Sequence, residues 1–287
     1  MKLLPIVWLC ASGLRAGETI QYATVDKAII QMRLAAAAKD NSVRLANLHA
    51  FFEQSGCNDL MELPVKHSKL PNLSCTLTVE SGQVILVGAH FDHVSAGDGV
   101  IDNWSGAALL PSLYQSLAKH PRRHTFRFIG FTDEEKGLVG SRDYVEHLDK
   151  AERKQISAMI NIDSVGTNST KLELDRGSRP LVNALAIVAQ TFQLPLGVVN
   201  VHKVGRSDSD SFQDYKIPSL NIHSLTQKTF PLLHTRHDVM SAISQDDYFD
   251  TYRLIAAYLA YLDQVLDKPE ARGETNAPST QSASPSK

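Results

Sequence analysis

The chain has 287 residues, of which 43% are hydrophobic, and its 29 lysines and arginines nearly balance 31 aspartates and glutamates. The hydrophobic share excludes a wholly disordered chain, and the charge balance gives no electrostatic reason to expect nucleic acid or an anionic membrane as a partner. Because no apolar stretch reaches the roughly 20 residues that span a bilayer, we expect no stable insertion into a membrane.

The two ends of the chain differ in composition from its body. Residues 1–16 contain one lysine, then an apolar run, then small residues, which is typical of a secretory signal peptide. Residues 268–287 have no large apolar side chain and predict a disordered tail. We therefore expect an exported protein, periplasmic or extracellular. Its folded body at 17–267 should form a single domain, because neither a repeat nor a linker divides it.

Cysteine usage agrees with export. After removal of a leader that contains Cys10, two cysteines remain, Cys57 and Cys75. An even number of cysteines in an oxidising compartment favours a disulfide between them. The alternative is a pair of free, buried thiols.

The body begins with helical sequence and continues as an α/β pattern. Residues 23–54 predict a helix, and residues 57–75 are predicted to be irregular. Apolar runs then predict strands at 84–88, 125–131, 157–162 and 218–222, which alternate with helices predicted at 105–117, 140–148, 180–192 and 245–266. This alternation favours an α/β fold with a mostly parallel, mixed central sheet and helices on both faces.

Ionisable side chains cluster at the ends of the predicted strands and in two nearby loops. Taken alone, each of these side chains has an ordinary structural explanation as a helix cap, a turn former or a solvated residue. Open α/β sheets, however, bind ligands at the carboxyl ends of their strands, so we expect these side chains to converge. Several carboxylates at one place repel each other unless a cation neutralises them. The mixture of imidazole and carboxylate suits Zn²⁺, or else Mn²⁺ or Co²⁺. The candidates are His90, Asp92, Asp102, Asp133, Glu134, Glu135, Asp163, His234, His237 and Asp238.

Five segments occur in a fixed order over roughly residues 84–240: GAHFDHV, GVIDNWSGAA, FTDEEKGLVGS, NIDSVG and LHTRHD. Together they resemble the M28 family of zinc peptidases, which includes bacterial aminopeptidases, glutamate carboxypeptidases and, more distantly, glutaminyl cyclases. The resemblance implies a zinc-exopeptidase-like fold, two zinc ions per chain and a peptide or small peptide as substrate.

Carried over position by position, the resemblance implies two metal sites that share one carboxylate. His90 and Asp163 match the ligands of one zinc ion. Glu135 and His234 match the ligands of the other, and Asp102 matches the carboxylate that bridges both ions.

Two further residues match catalytic positions of the family. Glu134 resembles the general acid/base, and a carboxylate free of metal is indeed needed to take the proton of water and pass it to the leaving amine. Asp92 resembles the carboxylate that orients His90, which would fix its tautomer. In LHTRHD the ligand position falls on His234 rather than His237.

The sequence also departs from the family pattern. Ser209 stands where a histidine is common, and the two places where we expect a tyrosine near the metals hold Val204 and Leu233. Tyr215 is a candidate to replace that tyrosine. Arg206, close by, is expected to be solvated rather than to line the pocket. These departures concern rate and specificity.

We therefore expect a two-zinc exopeptidase, an aminopeptidase that releases N-terminal residues. Three alternatives remain. A glutaminyl cyclase-like aminoacyltransferase would use one zinc ion and release ammonia. A carboxypeptidase-like member would require a free C-terminus. A non-catalytic binding protein would usually have lost metal ligands, and this sequence retains all five.

Overall fold

The computed structural model describes residues 20–80, 82–201 and 205–266. The predicted signal peptide at 1–16 and the predicted tail at 268–287 lie outside these ranges. Within them, no helix is both long enough and apolar enough to cross a membrane.

Two helices precede the sheet where the sequence predicts one at 23–54. Helix α1 spans Lys27–Ala35 and helix α2 spans Asn41–Gln54. The side chain of Asp40 accepts hydrogen bonds from the backbone N–H groups of Ser42 and Val43 and so caps the start of α2. Because such a cap satisfies the first free amides of a helix, it starts a new helix here. The prediction of one continuous helix is wrong at this point.

The described residues contain a sheet of eight strands. These are β1 (Leu60–Leu63), β2 (Asn72–Leu77), β3 (Val84–His90), β4 (Thr125–Phe131), β5 (Ile156–Ile162), β6 (Lys171–Leu172), β7 (Gly197–Val198) and β8 (Ser219–His223). Their order is β1-β2-β4-β3-β5-β8-β6-β7. The central pairs β4–β3, β3–β5 and β5–β8 are parallel, as is β6–β7, while β1–β2, β2–β4 and β6–β8 are antiparallel. The predicted mostly parallel, mixed sheet is confirmed.

The four predicted strands are the central strands β3, β4, β5 and β8. The interval 57–75, predicted to be irregular, instead contains β1 and the start of β2, so this prediction is wrong. Edge strand β1 carries no buried apolar run, and Pro64 and Pro71 bound the interval between the two strands. Proline is compatible with strand ends, where no ladder hydrogen bond is lost.

Helices cover both faces of the sheet. They are α3 (Ser105–Ala107), α4 (Leu110–Leu117), α5 (Val139–His147), α6 (Lys150–Gln155), α7 (Arg179–Phe192), α8 (Asp208–Gln213) and α9 (Gln245–Val265). Alternate residues of β3 face opposite sides, as a strand requires. Ile85 and Val87 join the larger core with α4, α7 and α9, whereas Leu86 joins a smaller core with Tyr144 of α5 and Phe212 of α8.

A disulfide joins Cys57, just after α2, to Cys75 of β2, with their Cα atoms 6.3 Å apart. The predicted pairing is confirmed. The bond closes a sequence separation of 18 residues, which contributes about 3 kcal/mol to stability in the chain-entropy account. It attaches the end of α2 to the sheet.

Candidate metal centre

The parallel strands β3, β4 and β5 end at the same edge of the sheet, and the segments that follow them carry the predicted site. His90 is the last residue of β3, Glu134 begins a short 3-10 turn after β4, and Asp163 directly follows β5. The predicted convergence at the carboxyl ends of the strands is therefore what the fold produces.

His90 is buried, and its two ring nitrogens face different groups. Nδ1 lies 3.1 Å from the backbone carbonyl oxygen of Asp92 and 3.4 Å from its carboxylate Oδ1. Nε2 lies 3.2 Å from Oδ1 of Asp102 and 3.7 Å from Oδ1 of Asp163. Because the carbonyl can only accept a hydrogen bond, a proton on Nδ1 leaves the lone pair of Nε2 directed at these carboxylates, as a metal ligand requires.

Asp92 lies beside His90 as predicted, and its carboxylate also holds the segment after β4. Oδ1 accepts a hydrogen bond from the backbone N–H of Glu134 at 3.0 Å, and Oδ2 lies 3.3 Å from the N–H of Glu135. No sequence pattern indicated these two contacts. Asp92 therefore links the orientation of His90 to the position of both glutamates.

Asp102 lies between the two predicted histidines. Its Oδ1 is 3.2 Å from Nε2 of His90, and its Oδ2 is 3.2 Å from Nε2 of His234. Each oxygen of one carboxylate thus faces a different imidazole. This is the arrangement that a carboxylate shared between two ligand sets would show.

Asn103 fixes the turn that carries Asp102. The peptide bond between these two residues is cis, and the Asn103 side chain is fully buried. Its Nδ2 donates to the Ile162 carbonyl at 2.9 Å, and its Oδ1 accepts from the N–H groups of Gly106 at 2.9 Å and Ser164 at 3.1 Å. One amide side chain therefore joins the Asp102 turn to the end of β5.

Glu135 and His234 form the other side of the site. Oε2 of Glu135 lies 3.0 Å from Nε2 of His234. Oε1 of Glu135 is buried and has no hydrogen-bond partner among the described residues. His237, the alternative in the same loop, is exposed, and its backbone N–H donates to Oγ1 of Thr235. Of the two histidines, only His234 is brought to the carboxylates.

The electrostatics of the site favour positive charge. Hydrogen bonds to Asp102 and Glu135 raise the pKa of His234 to about 10. Burial opposes a charge on His90, yet the surrounding carboxylates, Glu134 first, raise its pKa well above the ordinary value. Burial also opposes the charge on Asp102, but hydrogen bonds from both histidines hold its pKa well below the usual range.

Glu134 differs from Asp102 in its preferred charge, because their pKa values are shifted in opposite directions. Burial raises its pKa to about 10, and the negative charge of Asp208 adds to this shift while His90 opposes it. Asp208 is itself fully buried at the start of α8, and burial raises its pKa to about 7. Asp208 directly precedes Ser209 in the sequence, but no sequence signal indicated that it lies close enough to influence Glu134.

A single cavity of about 530 Å³ contains all five predicted ligands and Glu134. Beyond them, its lining includes the apolar residues Leu225, Phe230 and Leu233 and the polar residues Glu173, Asn221 and Arg206. Arg206 was expected to be solvated. It is half-exposed and also lines the cavity, because Nε lies 3.2 Å from Oδ2 of buried Asp210.

No tyrosine lines this cavity among the residues that the structure describes. Tyr215, the candidate to replace the tyrosine, is exposed, and the Arg153 guanidinium lies 4.2 Å from its ring centre. Tyr215 is therefore not a cavity residue. Leu233 does line the cavity, whereas Val204 lies outside the described residues.

Comparison with known proteins gives the family of the chain. The model of peptidase family M28 matches residues 72–259. The chain belongs to this family. All seven predicted site residues fall inside the M28 match, while α1 and α2 precede it.

Curated relatives of this M28 chain include aminopeptidase YwaD of Bacillus subtilis, 29% identical over 58% of this chain and 38% of its own length. The probable lipoprotein aminopeptidase LpqL of Mycobacterium tuberculosis is 33% identical over 52% of this chain and 33% of its own length. The chain thus spans about a third of the length of these two relatives.

Solved structures share the M28 fold. BSAP, a zinc aminopeptidase from Bacillus subtilis, has a TM-score of 0.62 at 26% identity, covering 69% of this chain and 51% of its own. A glutaminyl cyclase from an Acidobacteriales bacterium has a TM-score of 0.66 at 16% identity, covering 83% of this chain and 93% of its own. At such low identity, the second comparison shows the fold alone.

Proposed function

We propose that this chain is a two-zinc metallo-exopeptidase, an aminopeptidase that releases the N-terminal residue of a peptide. The observation that carries the proposal is the position of Asp102, whose two carboxylate oxygens each lie 3.2 Å from the Nε2 atom of a different histidine. Membership of peptidase family M28 supports the reaction class. The names of YwaD and LpqL support action at the amino terminus.

The donor set fits zinc. Ligand atoms about 2.1 Å from one tetrahedral zinc ion lie roughly 3.4 Å from each other. Around His90, the separations to Asp102 and Asp163 are 3.2 and 3.7 Å, and around His234 those to Asp102 and Glu135 are 3.2 and 3.0 Å. The buried Oε1 of Glu135 also lacks a partner among the described residues.

Two sets of ligands follow from these separations. His90, Asp102 and Asp163 would hold one ion, and Asp102, Glu135 and His234 the other. Glu134 also approaches His90, but its Oε2 lies 4.0 Å from Nε2, the longest of these separations. We therefore assign Glu134 to proton transfer rather than to metal binding.

When bound, the two ions would lower the pKa of water and polarise the scissile carbonyl. Glu134 would take a proton from the attacking water as the oxygen–carbon bond forms. It would then deliver this proton to the amide nitrogen as the carbon–nitrogen bond breaks. The reaction consumes one water and yields a carboxylic acid and an amine, so the proton on Glu134 is returned in each turnover.

The chain's other residues would position these groups. Asp92 fixes His90 on one side and the backbone of Glu134 on the other. The cavity beyond the ligands would accept the side chain of the N-terminal residue, and its lining includes the apolar residues Leu225, Phe230 and Leu233.

Glutaminyl cyclase activity is the second candidate. The observation that favours it is the fold shared over 93% of the cyclase chain. Against it stands the second ligand set, because Glu135 and His234 lie within 3.0 Å of each other at Asp102. A carboxypeptidase-like activity has no observation of this kind in its favour.

We also propose that the protein acts outside the cytoplasm, after removal of residues 1–16. The Cys57–Cys75 disulfide supports this location, because such bonds persist in oxidising compartments. N-terminal sequencing of the secreted protein tests the proposal, with Gly17 as the expected first residue.

Zinc stoichiometry and blocked peptides test the proposed activity together. Elemental analysis after purification with saturating zinc should give two ions per chain. Acetylation of a tripeptide's amino terminus should abolish its cleavage, whereas amidation of its carboxyl terminus should not. One ion with ammonia release from N-terminal glutamine would indicate the cyclase, and no bound zinc would refute the ligand assignment.

A further inference from the structure

Arg44 is a fully buried cation on α2, outside the segment that matches the M28 family. Its guanidinium donates to four backbone carbonyl oxygens in three separate segments. Nε donates to Ala38 at 2.6 Å and Nη1 to Phe91 at 3.0 Å, while Nη2 donates to Asp98 at 2.6 Å and to Gly99 at 2.9 Å. Every guanidinium nitrogen therefore has a backbone partner.

Three of these four carbonyls, those of Phe91, Asp98 and Gly99, belong to the segments that carry the ligands. Phe91 lies between His90 and Asp92, and Asp98 and Gly99 lead into the turn that presents Asp102. Arg44 holds this turn through its carbonyl oxygens. Asp238 holds the same turn through its amides, since its carboxylate accepts hydrogen bonds from the N–H groups of Ile101 and Asp102.

Only arginine can fill this position without losing some of these hydrogen bonds. Its planar guanidinium has five N–H donors in a fixed geometry, whereas lysine offers three donors from one atom. The Arg44 guanidinium also lies 5.7 Å from the centre of the Trp104 ring, two residues after Asp102. Burial lowers the pKa of Arg44 to about 10, and the nearby carboxylates, Asp238 first, oppose this shift. The group therefore remains charged at neutral pH.

We propose that Arg44 is a positioning residue for the metal centre, which sets the Asp102 carboxylate between His90 and His234 by holding the backbone of residues 91–99. The inference rests on the proposed function, because it presupposes that these residues bind zinc. It assigns to α2 a role in metal affinity in addition to its role in the core.

The test compares Arg44→Met and Arg44→Lys with Arg33→Met. Arg33 is also buried, and its pKa is likewise lowered to about 10 by burial, but its side chain donates to Ser112, Ser55 and Gln115 rather than to the ligand loops. It is thus a matched control for the loss of a buried cation. Competition with a chromogenic chelator gives the zinc dissociation constant, and thermal unfolding of the zinc-free proteins gives their stability.

We expect Arg44→Met to raise the zinc dissociation constant at least about tenfold relative to Arg33→Met, as the loss of a residue that orients ligands does in other metal sites. The zinc dissociation constant of Arg44→Lys should lie between those of Arg44→Met and the wild type. With zinc saturating, kcat should fall in both Arg44 variants while KM changes little, because Arg44 does not line the cavity. Equal zinc affinity in Arg44→Met and Arg33→Met would overturn the inference.

Hydrogen exchange on the wild-type chain provides a second measurement if Arg44→Met does not fold. Zinc should slow amide exchange in α2 as well as in residues 98–103, and α1 should be unaffected. Protection of 98–103 with no change in α2 would overturn the inference and leave the proposed function intact. If the wild-type chain binds no zinc, the proposed function and this inference are both wrong.

Discussion

Asp238 holds Asp102 by its main chain, because Oδ2 of Asp238 accepts the Asp102 backbone N–H at 3.1 Å. Oδ1 accepts the N–H of Ile101 at 2.6 Å. Since Asp238 lies four residues after His234, one buried carboxylate connects the loop of one histidine to the turn that faces both. The two segments are therefore expected to lose their positions together.

Asp238→Asn should weaken both the fold and the metal centre. The new amide group would direct N–H donors at a backbone N–H, which leaves buried donors unpaired at a cost of about 1–3 kcal/mol. Urea unfolding of the zinc-free protein measures this loss. The exposed variant Asp59→Asn should leave the unfolding midpoint unchanged. An Asp238→Asn protein with wild-type stability and full zinc content would contradict the role given to these two hydrogen bonds.

Glu134→Gln should abolish most of the turnover without loss of metal. The amide has nearly the same size, but it cannot take a proton from water, so kcat should fall by at least about 10²-fold. Zinc content and KM should stay close to their wild-type values. Steady-state kinetics with a cleavable tripeptide, together with elemental analysis, provide the measurement. Near-normal turnover would remove Glu134 from the acid/base role.

Asp102→Asn should reduce the occupancy of both zinc ions, because each carboxylate oxygen faces one of the two histidines. Asp163→Asn is the matched comparison. Asp163 lies 3.7 Å from His90, and no ion pair joins it to His234 among the described residues. We expect that variant to lose one ion and retain the other. Equal losses of zinc in Asp102→Asn and Asp163→Asn would argue against a bridging position for Asp102.

His223 should make stability depend on pH. Its Nε2 donates to the Val199 carbonyl at 2.8 Å, and its Nδ1 accepts the Leu225 N–H at 3.1 Å, so the ring is held in its neutral form. Burial lowers the pKa of His223 below its ordinary value. The unfolded chain therefore binds the proton more readily, and the free energy of unfolding falls as the pH decreases from about 6.5 towards the folded pKa.

His223→Gln isolates this contribution, since glutamine can still donate to Val199 but does not titrate. Urea unfolding between pH 5 and 8 in the presence of a chelator should show a shallower loss of stability at acid pH for the variant. Parallel pH profiles for the two proteins would show that His223 does not titrate as described.

The central part of the fold could be predicted because its signals are local. Strands β3, β4 and β5 are short apolar runs, and their ends carry the unusual polar residues. Strands β1 and β2 gave no such signal, since β1 is an exposed edge strand of four residues and the apolar residues of β2, NLSCTL, are interrupted by polar ones. The break between α1 and α2 depends on a single capping side chain, Asp40.

The candidate site likewise contains residues that could be predicted from the sequence and residues that could not. The seven predicted residues follow strand ends or lie in segments that resemble the M28 family, so position and resemblance together made them candidates. Arg44 and Asp208 did not stand out, because their neighbours lie far away in the sequence. Arg44 contacts carbonyls 47 and 55 residues further along the chain, and no sequence pattern around position 44 predicts those contacts.

Asn103 begins the sequence Asn-Trp-Ser, which is an acceptor for N-linked glycans in eukaryotic secretion. In the folded chain this side chain is fully buried and donates to Ile162, so no sugar can be attached there. A glycan added before folding would occupy the place of that hydrogen bond and keep the Asp102 turn from closing. Production in a eukaryotic secretory host should therefore yield a permanently inactive fraction, whose share depends on how quickly each molecule folds.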